Sequence, residues 1–230
     1  MYIKMGICIA ISAEAYFFSV APQPKQEQLE SQSLCRTGDG RDVNESDDID
    51  KTYMERKTPM NILILQGSPR ANGNTAWMAE EYRKAAEAAG HKVTLVNVTR
   101  KKIAGCLACE YCHGKGNGAC IQKDDMQELY PLLAEAEVLV FASPIYYFTL
   151  SAQIQAPIQR IYNMNKPGKL KKTALLASSY SPGVYDGAVG EYRGIIGYWG
   201  VEDTGIVTAK IDEQKTEATR DRILELVKKI

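Results

Sequence analysis

The sequence has no excess of charge: 28 Lys and Arg balance 28 Asp and Glu, with a pI near 6.7. That excludes a strongly basic nucleic-acid binder and an acidic solvating tail. It has no uninterrupted apolar run of about 18 residues, which excludes an obvious transmembrane helix. Its two histidines, His91 and His113, give no general-base constellation. Its six cysteines in 230 residues are too sparse for a disulfide scaffold. What is present is an ordinary apolar fraction of 45% and a mean hydropathy of −0.28, as in a water-soluble globular protein. Four of the cysteines crowd into residues 106–120.

The chain divides near residue 59. Residues 1–59 carry seven basic and ten acidic groups, a net −3, which leaves +3 for residues 60–230. Residues 22–59 are polar and lack periodicity, so they bury too little apolar surface to offset their ordering entropy. Residues 1–21 are apolar and read like a secretory signal with Ser19-Val20-Ala21 as its small-residue site. Glu14 in the apolar stretch and Pro22 after Ala21 oppose that reading, and Met60 stands where a start residue would. The expectation is a disordered or extraneous extension over 1–59 and one folded domain over 60–230. Cys8 and Cys35 receive no role.

From residue 60 the pattern alternates. Short apolar runs at 60–66, 91–98, 137–142, 172–178 and 202–211 read as strands, the first buried on both faces and the third also buried. Helices are expected at 74–89, near 125–135, at 150–162 with a kink or displaced start at Pro157, at 187–198 and at 216–230. Asn74 or Thr75 is expected to cap the first helix and Gly90 to end it; Asp124 or Asp125 caps the second. Five strands alternating with helices make an α/β fold, a doubly wound parallel sheet of order 2-1-3-4-5, the flavodoxin-like arrangement. Ligands then bind at the carboxyl ends of strands 1, 3 and 4, beside the point where strand order reverses.

The unusual residues lie at those ends. Gly67-Ser68-Pro69-Arg70-Ala71-Asn72-Gly73-Asn74-Thr75 joins a buried strand to a helix N-terminus, where free N–H groups and the helix dipole favour an anion. Ser68, Asn72, Asn74 and Thr75 add short donors, Gly73 allows close approach, and Arg70 supplies a forked cation. Ser143-Pro144 is expected to stop the third strand. Four large side chains follow, Ile145, Tyr146, Tyr147 and Phe148, more than period-2 burial demands. One or two should pack under the next helix and the rest should serve a flat ring. The loop Ser178-Ser179-Tyr180-Ser181-Pro182-Gly183 should form the third wall.

The segments GSPRANGNT, Ala142–Gln153 and, more weakly, Tyr198–Gly205 resemble three motifs of the NAD(P)H-dependent, FMN-containing reductases of flavodoxin-like fold. The resemblance covers residues 60–230. It implies FMN held by Ser68, Arg70, Asn72, Gly73, Asn74 and Thr75, with its ring along Pro144–Phe148, Ser179 and Tyr180. It implies a ping-pong oxidoreductase that takes hydride from NAD(P)H at flavin N5 and passes electrons to a small-molecule acceptor: a quinone, nitro compound, flavin or ferric complex. No general acid is required; Tyr146 and Tyr147 are the catalytic candidates. A cytoplasmic homodimer or homotetramer is implied, with no nucleic acid and no membrane as partner. Gln155 and Gln159 stand where the family often has Lys and Asp, which puts an ion pair or subunit contact there in doubt. A flavodoxin-type electron carrier and a fold that has lost its flavin are the other classes. Such carriers are usually strongly acidic, unlike residues 60–230, and the intact donor loop opposes flavin loss.

Cys106, Cys109, Cys112 and Cys120 follow C-x2-C-x2-C-x7-C. Thiolates at that spacing can converge on one [4Fe–4S] cluster. Zinc sites more often pair two distant C-x2-C elements, and reduced cysteines in a loop of glycines (Gly114, Gly116, Gly118) are the third reading. The spacing resembles the compact motif of iron–sulfur flavoproteins, a branch of the same fold. Lys115 and Lys123 nearby would offset a cluster's charge.

Overall fold

A computed structural model describes residues 58–230; the readings for the preceding segment lie outside the described residues. The elements follow the expected alternation. They are β1 (Asn61–Gln66), α1 (Asn74–Ala88), β2 (Lys92–Asn97), α2 (Met126–Glu135), β3 (Val138–Tyr146), β4 (Thr149–Leu150), α3 (Ala152–Arg160), β5 (Lys172–Ser178), α4 (Asp186–Trp199), β6 (Glu202–Ala209) and α5 (Glu217–Val227). The sheet order is β2-β1-β3-β5-β6, all parallel, with β4 paired antiparallel to the end of β3. Apart from the two-residue β4, this is the 2-1-3-4-5 order expected of a flavodoxin-like fold.

The strands separate two cores because successive side chains leave opposite faces. Ile62 and Ile64 of β1, with Val138 and Val140 of β3, face Met78, Tyr82 and Ile223 of α1 and α5. Leu63, Leu65, Leu139 and Phe141 face the other way, onto Leu129, Leu133, Ile154 and Tyr192 of α2, α3 and α4. Covering both faces explains why these strands read as unbroken apolar runs.

Two boundaries differ from expectation. Strand β3 does not stop at Ser143-Pro144 but continues to Tyr146, with Ser143 beside Ala177 and Pro144 beside Ser178. The Ala142 carbonyl accepts from the Gly67 N–H at 2.8 Å, so even-numbered residues of β3 turn their backbone groups toward β1. Pairing with β1 ends at Gln66–Ala142. Proline therefore lacks its N–H on a side with no ladder left to break, the edge position where proline is tolerated. Helix α3 begins at Ala152 rather than 150, because Thr149 and Leu150 are drawn back onto β3. Pro157 lies inside α3 without ending it.

Candidate active site

The loop after β1 is tight by construction. A Cβ on Gly67 would stand 2.3 Å from Ile154 Cγ1, so only glycine lets α3 close over the strand end. The Gly67 carbonyl accepts from Ser151 Oγ at 3.1 Å. The Arg70 N–H donates to Ser68 Oγ (3.3 Å), and the Gly73 N–H donates back to the Arg70 carbonyl (3.0 Å). Gly73 is itself the residue preceding helix α1, extended at φ −73° and ψ 170°, and no side chain caps the helix. The first ladder bond is Trp77 N–H to Gly73 carbonyl, 3.0 Å. The expected caps are engaged elsewhere. Asn74 Nδ2 donates to Gln214 Oε1, and Thr75 Oγ1 shares a 2.6 Å hydrogen bond with Ser178 Oγ. The first-turn amides of α1 therefore face the loop with the positive end of the dipole behind them.

Opposite this loop are the carboxyl ends of β3, β5 and β6. A cavity of about 270 Å³ lies among them, lined on the loop side by Ser68, Arg70, Gly73, Asn74 and Thr75. Pro144, Ile145 and Tyr146 form the second wall, and Ser178, Ser179 and Tyr180 the third. Ile211 and Gln214, from the segment after β6, close it. Ten of the thirteen residues expected at a flavin thus come together; Asn72, Tyr147 and Phe148 stand outside the lining. Ser178 lies in the expected third-wall loop; sequence reasoning missed Ile211 and Gln214. Gln214 ties the site together: its Nε2 donates to the Ser179 carbonyl (2.6 Å) and the Ala209 carbonyl (3.1 Å) while its Oε1 holds Asn74. Lys215 Nζ donates to the Asn72 carbonyl at 3.0 Å, joining the same segment to the loop after β1. Ser179 Oγ donates to the Ser181 carbonyl and lies 2.6 Å from the Tyr185 hydroxyl, whose pKa is raised by burial.

The aromatic run divides as its chemistry suggests. Ile145 is buried at 8% exposure, whereas Tyr146 and Phe148 are about half exposed and Tyr147 is 96% exposed. Tyr147 and Phe148 are the two central residues of the β3–β4 hairpin, and both are left-handed, at φ 47° and 68°. That pattern is the one Asn-Gly ordinarily fills. Two aromatics there carry strain of about 1 kcal/mol or more each. The chain holds them by pairing Tyr146 with Thr149 and by bringing Gly187 of α4 against the Phe148 carbonyl, where a Cβ would come within 2.5 Å. The strained turn thus displays two aromatic faces to solvent beside the cavity wall formed by Pro144–Tyr146.

The cysteine loop is docked on α3 and the turn after it. Cys106 and Cys109 are exposed and Cys112 and Cys120 half-buried; all four thiols are free. Among the described residues no three metal-ligating side chains are gathered closely enough to hold an ion. The donor set nonetheless fits a cluster in number and kind, and the loop is organised. The Cys106 N–H donates to Gln159 Oε1 (3.4 Å), so Gln159 of α3 tethers this loop. The Tyr162 hydroxyl donates to Glu110 (2.9 Å), and Asn163 Nδ2 donates to the Gly118 carbonyl (2.8 Å). The His113 ring stacks edge-on to Tyr162 at 4.6 Å. Burial raises the Cys112 thiol. Burial also acts to raise Cys120, but the Gln122 backbone, Tyr130 and Arg160 together bring it below its ordinary range.

Comparison with known proteins shows the fold and the family. The chain is 34% identical over 136 residues to an iron-sulfur flavoprotein of Archaeoglobus fulgidus, covering 59% of this chain and 56% of that one. It is 35% identical over 101 residues to an iron-sulfur flavoprotein of Methanocaldococcus jannaschii, covering 44% and 50%. The chain spans about half the length of the curated relatives it matches. Among solved structures, the NAD(P)H:quinone oxidoreductase of Methanothermobacter marburgensis shares the fold with a TM-score of 0.55 at 17% identity, covering 75% of this chain and 94% of that one. An azoreductase of Bacillus anthracis does so with a TM-score of 0.54 at 17% identity, covering 74% and 97%. Residues 60–200 match the family described as NADPH-dependent FMN reductase, and the chain belongs to that family.

Proposed function

We propose that residues 60–230 bind FMN and oxidise NAD(P)H, delivering the electrons to a small acceptor. One observation carries this reading: at the point where strand order reverses, an uncapped helix start with Arg70 and short donors faces exposed aromatic rings across one cavity. The Gly73 cradle supports a phosphate there. A Cβ at Gly73 would fall 2.9 Å from Arg70 Cβ and 3.2 Å from Ser68 Oγ, filling the hollow the amides face. FMN, when bound, supplies the hydride and electron chemistry. The chain's residues bind and orient it. Ser68, Arg70 and the α1 amides hold the phosphate, Gln214 fixes Asn74 and the Ser179 carbonyl, and Tyr146 and Tyr180 flank the ring. Tyr180, 78% exposed, leaves room beside it for a nicotinamide or an acceptor. The resemblance adds a cytoplasmic dimer or tetramer to this reading. Among the described residues no helix is long and apolar enough to cross a membrane. The test is anaerobic assay of NADH and NADPH oxidation by the FMN-loaded chain with benzoquinone as acceptor. Turnover no faster than free FMN alone would refute it.

A second reading is supported by the four free thiols of one docked loop and by relatives named as iron-sulfur flavoproteins. In it, Cys106, Cys109, Cys112 and Cys120 hold a [4Fe–4S] cluster, which supplies one-electron transfer. The loop must then close further around the cluster than the described arrangement. Anaerobic preparation should give about four irons per chain, and Cys109→Ser should abolish them while FMN stays. Iron-free protein after reconstitution would leave the reductase reading alone.

A further inference from the structure

Strand β1 ends on Gln66, which lies between Asn97 of β2 and Ala142 of β3. Alternation along the strand puts its side chain on the face of Ile62 and Ile64, toward the core beneath α1. It is 2% exposed and does not line the cavity, so it cannot touch a ligand there. Its Nε2 donates to the Ser68 carbonyl at 3.1 Å. Its Oε1 is buried and has no hydrogen-bond partner among the described residues. A buried acceptor left unpaired costs stability, and an apolar side chain of similar length would avoid that cost. The one bond this amide makes is to a carbonyl of the loop after β1.

That carbonyl has a particular chemistry. Pro69 follows Ser68, so the peptide between them offers an acceptor and no N–H. Turned toward the cavity, it would repel an anion. Ser68 lines the cavity although it is only 4% exposed. Its carbonyl accepts from Gln66, and its Oγ accepts from the Arg70 N–H at 3.3 Å. Both of its acceptor atoms are thus engaged. Among the described residues neither its N–H nor its hydroxyl hydrogen is donated to the protein. We infer that Gln66 is a positioning residue of the anion site. It draws the Ser68 carbonyl inward, so that this loop presents donors rather than an acceptor to the flavin phosphate. The inference rests on the FMN reading above and deepens it: selectivity for a phosphorylated flavin is set in part from beneath the loop, by a side chain that never meets the ligand.

The test titrates the flavin-free full chain with FMN and with riboflavin, and follows its thermal denaturation without flavin. The parent is compared with Gln66→Met, which is similar in length, and Gln66→Leu, which is shorter; neither carries a donor. In both variants the Ser68 carbonyl loses its inward partner. The Kd for FMN should rise about tenfold, as for the loss of one hydrogen bond to a charged group. The Kd for riboflavin should change less than about twofold. The Tm of Gln66→Met should hold or rise, because no buried acceptor is left unpaired. A residue that merely supported the fold would give the opposite pattern: a lower Tm and equal losses for both flavins. That pattern, or an unchanged Kd for FMN in both variants, would overturn the role assigned to Gln66. A parent chain that binds FMN no better than riboflavin would remove the phosphate from this loop and the inference with it. A parent that binds neither flavin would overturn the FMN reading itself.

Discussion

Replacing Arg70 by alanine separates ligand binding from stability. Arg70 is exposed at the cavity rim, and among the described residues its side chain makes no hydrogen bond or ion pair. Its backbone builds the turn, but alanine keeps that backbone. The change should therefore alter folding stability by less than about 0.5 kcal/mol, as for a surface site. Arg70 lines the same cavity as the start of α1, so under the proposed reading a bound phosphate would lose one charge-assisted hydrogen bond. Such a bond is worth about 1.5–3 kcal/mol, and exposure favours the lower end. That is about a 10- to 150-fold rise in Kd for FMN. Riboflavin, which lacks the phosphate, supplies the control. Titrating the flavin-free protein by flavin fluorescence should show the Arg70→Ala loss for FMN and almost none for riboflavin, with the FMN difference shrinking as salt rises. Equal losses for both flavins would place Arg70 at the ring or in the fold, and no loss for either would remove the phosphate from this loop.

Gly73→Ala should weaken FMN about tenfold or more, since its Cβ would meet the Arg70 carbonyl at 3.0 Å, and should barely weaken riboflavin in the same titration. The double change Tyr147→Asn with Phe148→Gly should raise stability by about 1–2 kcal/mol by relieving two left-handed aromatics. Thermal denaturation checks this, while steady-state assays should show a higher KM for the acceptor. Asp124→Asn should destabilise by about 2–4 kcal/mol at neutral pH by leaving buried Arg160 without its charge partner. Burial acts to raise the Asp124 pKa, but Arg160 and the Ala104 amide outweigh it and hold it below the usual carboxylate value. A depressed folded-state pKa means the contribution is whole above the unfolded value of about 3.9 and fades as pH falls through the folded one. The stability gap between parent and Asp124→Asn should therefore close as the solution is acidified, as read by urea denaturation at successive pH values.

The sheet was legible because buried parallel strands declare themselves: Ile62–Leu65, Val138–Ala142 and Ala174–Ala177 are apolar runs with no polar alternation. The end of β3 was not, because Pro144 reads as a stop unless its missing N–H is known to face an edge that β1 has already vacated. Most of the cavity was legible for a related reason. The loops after β1, β3 and β5 each carry a dense motif at a strand's carboxyl end. Gln214 and Ile211 come from the segment after β6, which has no motif, and only the register of β6 beside β5 delivers them to the same edge. Gly73 displaced the expected caps because Asn74 and Thr75 point across to β5 and Gln214 rather than back along α1. The cysteine spacing was evident at once, but its scaffold was not. The sequence marks no role for Arg160, and only its burial shows that it pairs with Asp124 beside this loop.

The central claim is that the cavity between the β1 loop and the β3 hairpin is a flavin site, and the visible absorption spectrum of the full chain, purified anaerobically and supplied with FMN, tests it most directly. The account predicts a yellow protein whose flavin bands persist through gel filtration and bleach on addition of NADPH or NADH. A colourless protein that FMN cannot turn yellow would contradict it.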